Sequence, residues 1–354
     1  MLKQASSLLL IDFLKVFAAL LIILHHLSSY GQIAEDAYLV LPGVMTWLFE
    51  YGRYAVQIFL VMAGYLAAQS LSRYANNKFS ANVLLKIILN RYLRLFAPYA
   101  AALIFTIICA YIARFWVNDE FVGESETLSQ FLAHLFFIQG ILGLDSISAG
   151  AWYIAIDWQL YSVLAILLIS FSSYQAVIWV ISILAVASLL IFNRSGEYEA
   201  YFIYFIGAYG LGVLAYLARC FQNQGVNRVA KISLGLIGFA IVVSSFQQIW
   251  LRNYLAWSVA IILLFWGNMA YPTGAQDNTF LRVISWGSKR SYCAFLIHFA
   301  FILLANTLYI ALGLNVHESG GLAIALMLAV LVSSVTAANY LYRWIEVPSV
   351  KLKV

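Results

Sequence analysis

Lys15 and His26 lie eleven residues apart inside one apolar run. Eleven steps of about 100° return to nearly the same helical face, ~16 Å farther along the axis, so an ammonium and an imidazole line one stripe. Asp12 precedes Lys15 by three residues, within pairing distance, and offsets the cost of keeping the ammonium near the inner end of the helix. His25 points elsewhere. A second run, Gly150-Ala151-Trp152-Tyr153-Ile154-Ala155-Ile156-Asp157-Trp158-Gln159-Leu160-Tyr161, holds a single carboxylate, Asp157. Entered from outside, it places Asp157 about two turns into the membrane, a depth that His26 approaches near the outer end of its own helix. A histidine and a carboxylate that meet are the pair used in general-base catalysis: the imidazole takes a hydroxyl proton while the carboxylate fixes its tautomer. Structural roles stay open beside this one: Lys15 snorkelling to the inner interface, His26 bonding a carbonyl on another helix, and a buried His/Asp pair that serves packing alone.

Arg91 and Arg94 stand at i and i+3 in Asn90-Arg91-Tyr92-Leu93-Arg94, one face of a helix opening at the cytoplasmic surface. Guanidinium pairs bind phosphates bidentately, and they also serve as positive-inside anchors. Gly52 and Gly64 frame another apolar run and permit close helix packing.

The elements that must position these groups follow from composition. Of 354 residues, 64% are hydrophobic and 10% charged, under half the share of about a quarter usual for soluble domains. That excludes an ordinary soluble protein and predicts an all-α polytopic integral membrane protein. Apolar runs fall near 8–29, 50–71, 92–117, 151–170, 175–193, 200–218, 232–250, 254–270, 290–313 and 321–342, giving about ten transmembrane helices with only short loops. The first run is interrupted by Asp12, Lys15, His25 and His26 and lacks a small-residue cleavage site, so it reads as a membrane helix and not a signal peptide. The fourteen apolar residues from Phe131 to Leu144 are too short to span and are expected at the outer surface as an interfacial or re-entrant piece. The whole chain, 1–354, is expected to form one transmembrane domain.

Basic residues orient it. With the N-terminus cytoplasmic, inner segments hold fifteen lysines and arginines, from Lys3, Arg73, Lys78 and Lys86 to Arg343, Lys351 and Lys353, whereas outer segments hold Arg53, Arg114, Arg194 and Arg252. This bias predicts both termini in the cytoplasm. Acidic residues such as Glu35, Asp119, Glu197 and Glu318 fall outside. A net charge of +5 is too weak to suggest nucleic acid as a partner. Cys109, Cys220 and Cys293 form no paired spacing, so neither a disulfide framework nor a metal site is expected.

Taken in order, these residues resemble the membrane acyltransferase-3 family. Ile11-Asp12-Phe13-Leu14-Lys15 followed by His26 is similar to the family's LDGLR-like opening and its essential histidine eleven positions on, with lysine in place of arginine. Ile58 to Gly64 looks like the FFVLSG-like motif without its serine, and Arg91 and Arg94 match an RxxR motif. Trp152 to Tyr161 is similar to the WSLxxExxFY-like motif, with Asp157 where glutamate is usual. Ser291 to His298 matches an SYxxYLxH-like segment, and Arg343 to Pro348, including Glu346, an RxxExP-like close.

The resemblance implies transfer of a short acyl group, acetyl, from cytoplasmic acyl-CoA to a hydroxyl of a glycan or glycolipid at the outer face of a bacterial inner membrane. It implies His26 as base or transient acyl acceptor with Asp157 as its orienting partner. Arg91 and Arg94 would hold CoA phosphates, and Lys15 with Asp12 would line the donor passage. Trp152, Tyr161 and His298 fall to the acceptor, although His298 equally suits a hydrogen bond between helices. Membrane lipid surrounds the whole, and oligomerisation is left open. The competing class is a transporter or flippase for a polar lipid or glycan, since buried Lys, His and Asp also suit a substrate or proton path. A third is a structural partner of a glycan synthase.

Overall fold

The computed structural model describes residues 8–74, 80–171, 173–317 and 319–352, so Lys3, Lys78, Glu318 and Lys353 of the charge pattern lie outside the described residues. Among the described residues there is no β-strand. The longer helices are α1 (Leu9–Leu27), α2 (Gln32–Val40), α3 (Pro42–Tyr51), α4 (Ala55–Leu71), α5 (Ala81–Ala113), α6 (Leu128–Leu135), α7 (Ala151–Ser170), α8 (Tyr174–Leu190), α9 (Phe202–Cys220), α10 (Gln224–Ser244), α11 (Leu251–Trp266), α12 (Thr279–Ser288), α13 (Ser291–Ala311) and α14 (Gly320–Leu341). Among the described residues nine helical stretches are long and apolar enough to cross a membrane. The run expected at 254–270 is α11, whose 16 residues fall just short of a full span.

The bundle is organised around α9. A membrane helix facing lipid on one side buries only a stripe, whereas every residue of α9 from Tyr204 to Ala218 is buried. It packs on α4, α8, α10 and α11. Glycines make the α4 contact possible: a Cβ at Gly64 would run into the Tyr209 carbonyl, and one at Gly212 into the Val61 carbonyl. The close packing expected of Gly64 is therefore present, and its partner is Gly212.

A second group, α1, α5, α13 and α14, surrounds the charged residues, with α13 packing on α5, α14 and α1. Helix α5 is 33 residues long and begins eleven residues before the expected run. Arg91 consequently stands ~15 Å along the helix instead of at its opening.

The segment 131–144 does not lie wholly on the outer surface. After α6 it turns at Phe137, the one non-glycine residue of positive φ among those described (60°), and inserts that ring, 1% exposed, between Tyr92, Tyr99 and Trp158. His134 anchors the turn, its Nδ1–H donating to the Gln130 carbonyl (2.8 Å) and its Nε2 accepting from the Ile147 amide (3.1 Å). Both ring nitrogens are thereby used, which makes His134 a structural histidine. Gly31 (φ 78°) turns the chain from α1 into α2. The Asn306 Oδ1 accepts from the Ile33 amide (3.1 Å) in the space a side chain at 31 would fill.

Candidate functional site

His26 is in the last turn of α1 and His298 in the second turn of α13; both are buried, at 7% and 0% exposure. Their rings are nearly parallel, at 12°, and Nδ1 of His26 lies 2.6 Å from Nε2 of His298. The direction of that bond follows from the next one. His298 Nδ1 is 2.7 Å from the Phe295 carbonyl, which only accepts, so Nδ1 of His298 bears the proton. In the neutral ring its Nε2 then accepts, and His26 must donate from Nδ1. Nε2 of His26 is left with its lone pair, the tautomer a general base requires. His25, as expected, faces away: its Nδ1 lies 3.0 Å from the Leu48 carbonyl and ties α1 to α3.

Asp157 is engaged elsewhere. Its Oδ2 accepts from Arg91 Nη2 (2.5 Å) and Nε (3.2 Å), and the guanidinium lies 4.9 Å over the Tyr161 ring. The orienting partner of His26 is thus His298, and the expected His26–Asp157 contact is replaced by an Arg91–Asp157 ion pair joining α5 to α7. Tyr161, expected at the acceptor, is the aromatic floor of that pair. Trp152 is stacked on Phe205 at 5.3 Å and packs α7 on α9.

Arg94, one turn from Arg91, is exposed and makes no hydrogen bond to protein among the described residues. It lies within electrostatic reach of Arg91, Asp157, Glu346 and Lys15. Lys15 is half-buried on α1. Asp12 is within its electrostatic reach but not within ion-pair distance, and accepts instead from the Tyr271 hydroxyl (3.0 Å). Burial and then the Asp12 carboxylate push the Tyr271 phenol up to about 12. Glu346, from the closing motif, accepts from the Cys293 thiol at 3.0 Å. Lys15, Arg91, Arg94, Asp157 and Glu346 therefore form one connected charge cluster bordered by α1, α5, α7, α13 and the end of α14. Among the described residues no group of three or more His, Cys, Asp or Glu is placed to hold a metal ion.

Two tyrosines belong to the site without any signal in the sequence. Tyr209 of α9 is 1% exposed, sits within electrostatic reach of Asp157 and Arg91, and has a hydroxyl with no hydrogen-bond partner among the described residues. Tyr30 follows α1 and lies 5.6 Å from the His26 ring. A tyrosine among membrane helices reads as packing, and only its neighbours reveal otherwise.

The all-helical membrane bundle thus holds two features, a buried histidine whose tautomer leaves one ring nitrogen with its lone pair and, apart from it, a half-exposed cluster of charged residues. The chain belongs to the acyltransferase family whose domain model, described as an acyltransferase domain, matches residues 8–343. No curated protein and no solved structure matches it.

Proposed function

We propose that the protein moves a short acyl group, acetyl, from cytoplasmic acyl-CoA to a hydroxyl of a glycan or glycolipid acceptor at the outer face, with both termini in the cytoplasm of a bacterial cell and the bundle in its inner membrane. The observation that carries this reading is the chain from the Phe295 carbonyl through His298 to His26, because it spends two hydrogen bonds on presenting one imidazole lone pair. In the proposed reaction His26 Nε2 takes the acceptor hydroxyl proton as the oxygen attacks the thioester carbonyl. The imidazolium then returns that proton to the departing CoA sulfur. His298 acts as a positioning residue and not as an acceptor ligand.

The two arginines divide the donor's work. Arg91 is committed to Asp157, so Arg94, with Lys15 beside it, is the group free to neutralise CoA phosphates. Arg91 and Asp157 hold α5 and α7 in the geometry that places Arg94. A transporter needs neither a polarised histidine pair nor a free guanidinium at its inner end.

The experiment is acetyl-CoA turnover by the detergent-purified protein, with His26→Ala as control. Turnover by the wild type that falls at least a hundredfold in a folded His26→Ala variant is expected. Acceptor movement without consumption of acetyl-CoA would favour the transporter and refute the assignment.

A further inference from the structure

A cleft of about 610 Å³ opens beside the end of α1, lined by the α1–α2 turn, α2, α3 and the loop after α5. That volume falls in the range of small-molecule sites, ~300–1,000 Å³. Its wall adjoins the catalytic histidine through one ring. Tyr30 lies 5.6 Å from His26 on one side and 6.0 Å from Phe121 on the other, and Phe121 lines the cleft. The neighbours of Tyr30 in the chain, Ser29 and Gly31, line it as well.

The lining has a definite chemistry. Tyr38 and Phe121 offer aromatic faces, Thr46 offers a hydroxyl, Ser29, whose O–H donates to the His25 carbonyl (2.6 Å), offers acceptor lone pairs, and the charged lining residues are both acidic, Glu35 and Asp119. Asp119 spends one oxygen on the Phe121 amide (3.2 Å), and Glu35 is exposed. Carboxylates accept and do not donate, so they suit a ligand rich in O–H or N–H groups. Aromatic faces suit the C–H faces of a ring-shaped polyol. A ligand carrying its own negative charge meets like charge with, among the described residues, no lysine or arginine lining the cleft to offset it.

We infer that this cleft is the acceptor site and that Glu35 and Asp119 restrict it to polyhydroxylated acceptors that are neutral or amine-bearing, excluding carboxylate- or phosphate-bearing ones. This rests on the acyl-transfer reading for what happens to the ligand, but not for whether the ligand binds.

The test uses the full chain in detergent and three probes: methyl glucoside, methyl glucosaminide, which carries an amine at C2, and methyl glucuronide, which carries a carboxylate at C6. Binding is read by saturation-transfer NMR without donor, and transfer with radiolabelled acetyl-CoA. The glucoside and glucosaminide are expected to bind and to be acetylated, with the glucuronide at least tenfold poorer in both readouts. In Glu35→Gln/Asp119→Asn the glucuronide should come within about twofold of the glucoside. Thr46→Trp, which sets a bulky indole on the cleft wall, should abolish glycoside binding in a protein that remains monodisperse. Absence of acetyl-CoA consumption by the wild type would overturn acyl transfer and leave the binding arm to decide the cleft. Glucuronide binding equal to that of the glucoside, binding that survives Thr46→Trp, or no binding of any probe would overturn the cleft assignment whether or not acetyl-CoA is consumed.

Discussion

His298→Ala removes the acceptor for His26 Nδ1–H without touching the proposed base. In the folded protein that N–H sits 2.6 Å from its partner with the His26 ring 7% exposed, so water does not readily replace the lost bond. A buried donor left unsatisfied costs ~1–3 kcal/mol, and His26 relieves that cost by moving its proton to Nε2 or rotating off its axis. Either response withdraws the lone pair from the acceptor. At about 1.4 kcal/mol per tenfold, kcat should fall by ~5–150-fold. KM for acetyl-CoA should be nearly unchanged, because His298 does not touch the basic cluster. His298→Gln, which retains a carbonyl acceptor on a chain of similar reach, should recover part of the loss. The assay is acetyl-CoA turnover over a substrate range, with thermal stability recorded for each variant so that loss of folded protein is separated from loss of rate. Wild-type kcat in a folded His298→Ala variant, or a loss tracking stability equally in Ala and Gln, would show that His298 merely fills space.

Three further outcomes test the rest of the site. Arg94→Ala should raise KM for acetyl-CoA about tenfold or more with stability intact, whereas Arg91→Ala should lower stability first; equal effects on KM alone, measured by steady-state kinetics, would return both arginines to one role. Asp157→Asn should destabilise by ~3 kcal/mol through the unpaired Arg91, and a double-mutant cycle with Arg91→Met should show a coupling of ~1–3 kcal/mol by denaturant-dependent unfolding; additive effects would show that the ion pair does not act as a unit. Gly212→Val should cost more than ~3 kcal/mol, or abolish folded yield on size-exclusion chromatography, because the new carbon meets the Val61 carbonyl and α4 cannot move off without unpacking α9; normal yield would refute the close-packing account.

Chain composition and the spacing of apolar runs were enough to determine an all-helical membrane protein, since a lipid-spanning backbone has to satisfy its polar groups within the helix. The residues proposed to carry the chemistry stand out in the sequence: a histidine, lysine or arginine inside apolar sequence costs energy, so its presence marks a reason. His26, Lys15, Arg91, Arg94 and Asp157 were all found this way, and all but His26 belong to one charge cluster. Their pairing was not legible. Matching His26 with Asp157 by depth assumes that helices begin level, yet α5 starts eleven residues before its apolar run, and His26 at the end of α1 meets His298 in only the second turn of α13. A membrane places no marker in the sequence for the tilt or offset of one helix against another. Those are set by packing, as where Gly64 and Gly212 let α4 and α9 approach until carbonyls replace side chains at the contact. The tautomer of His26, the split in role between Arg91 and Arg94, and the acidic cleft beyond Tyr30 all follow from that packing, because each depends on atoms from helices far apart in sequence meeting within hydrogen-bond or van der Waals distance.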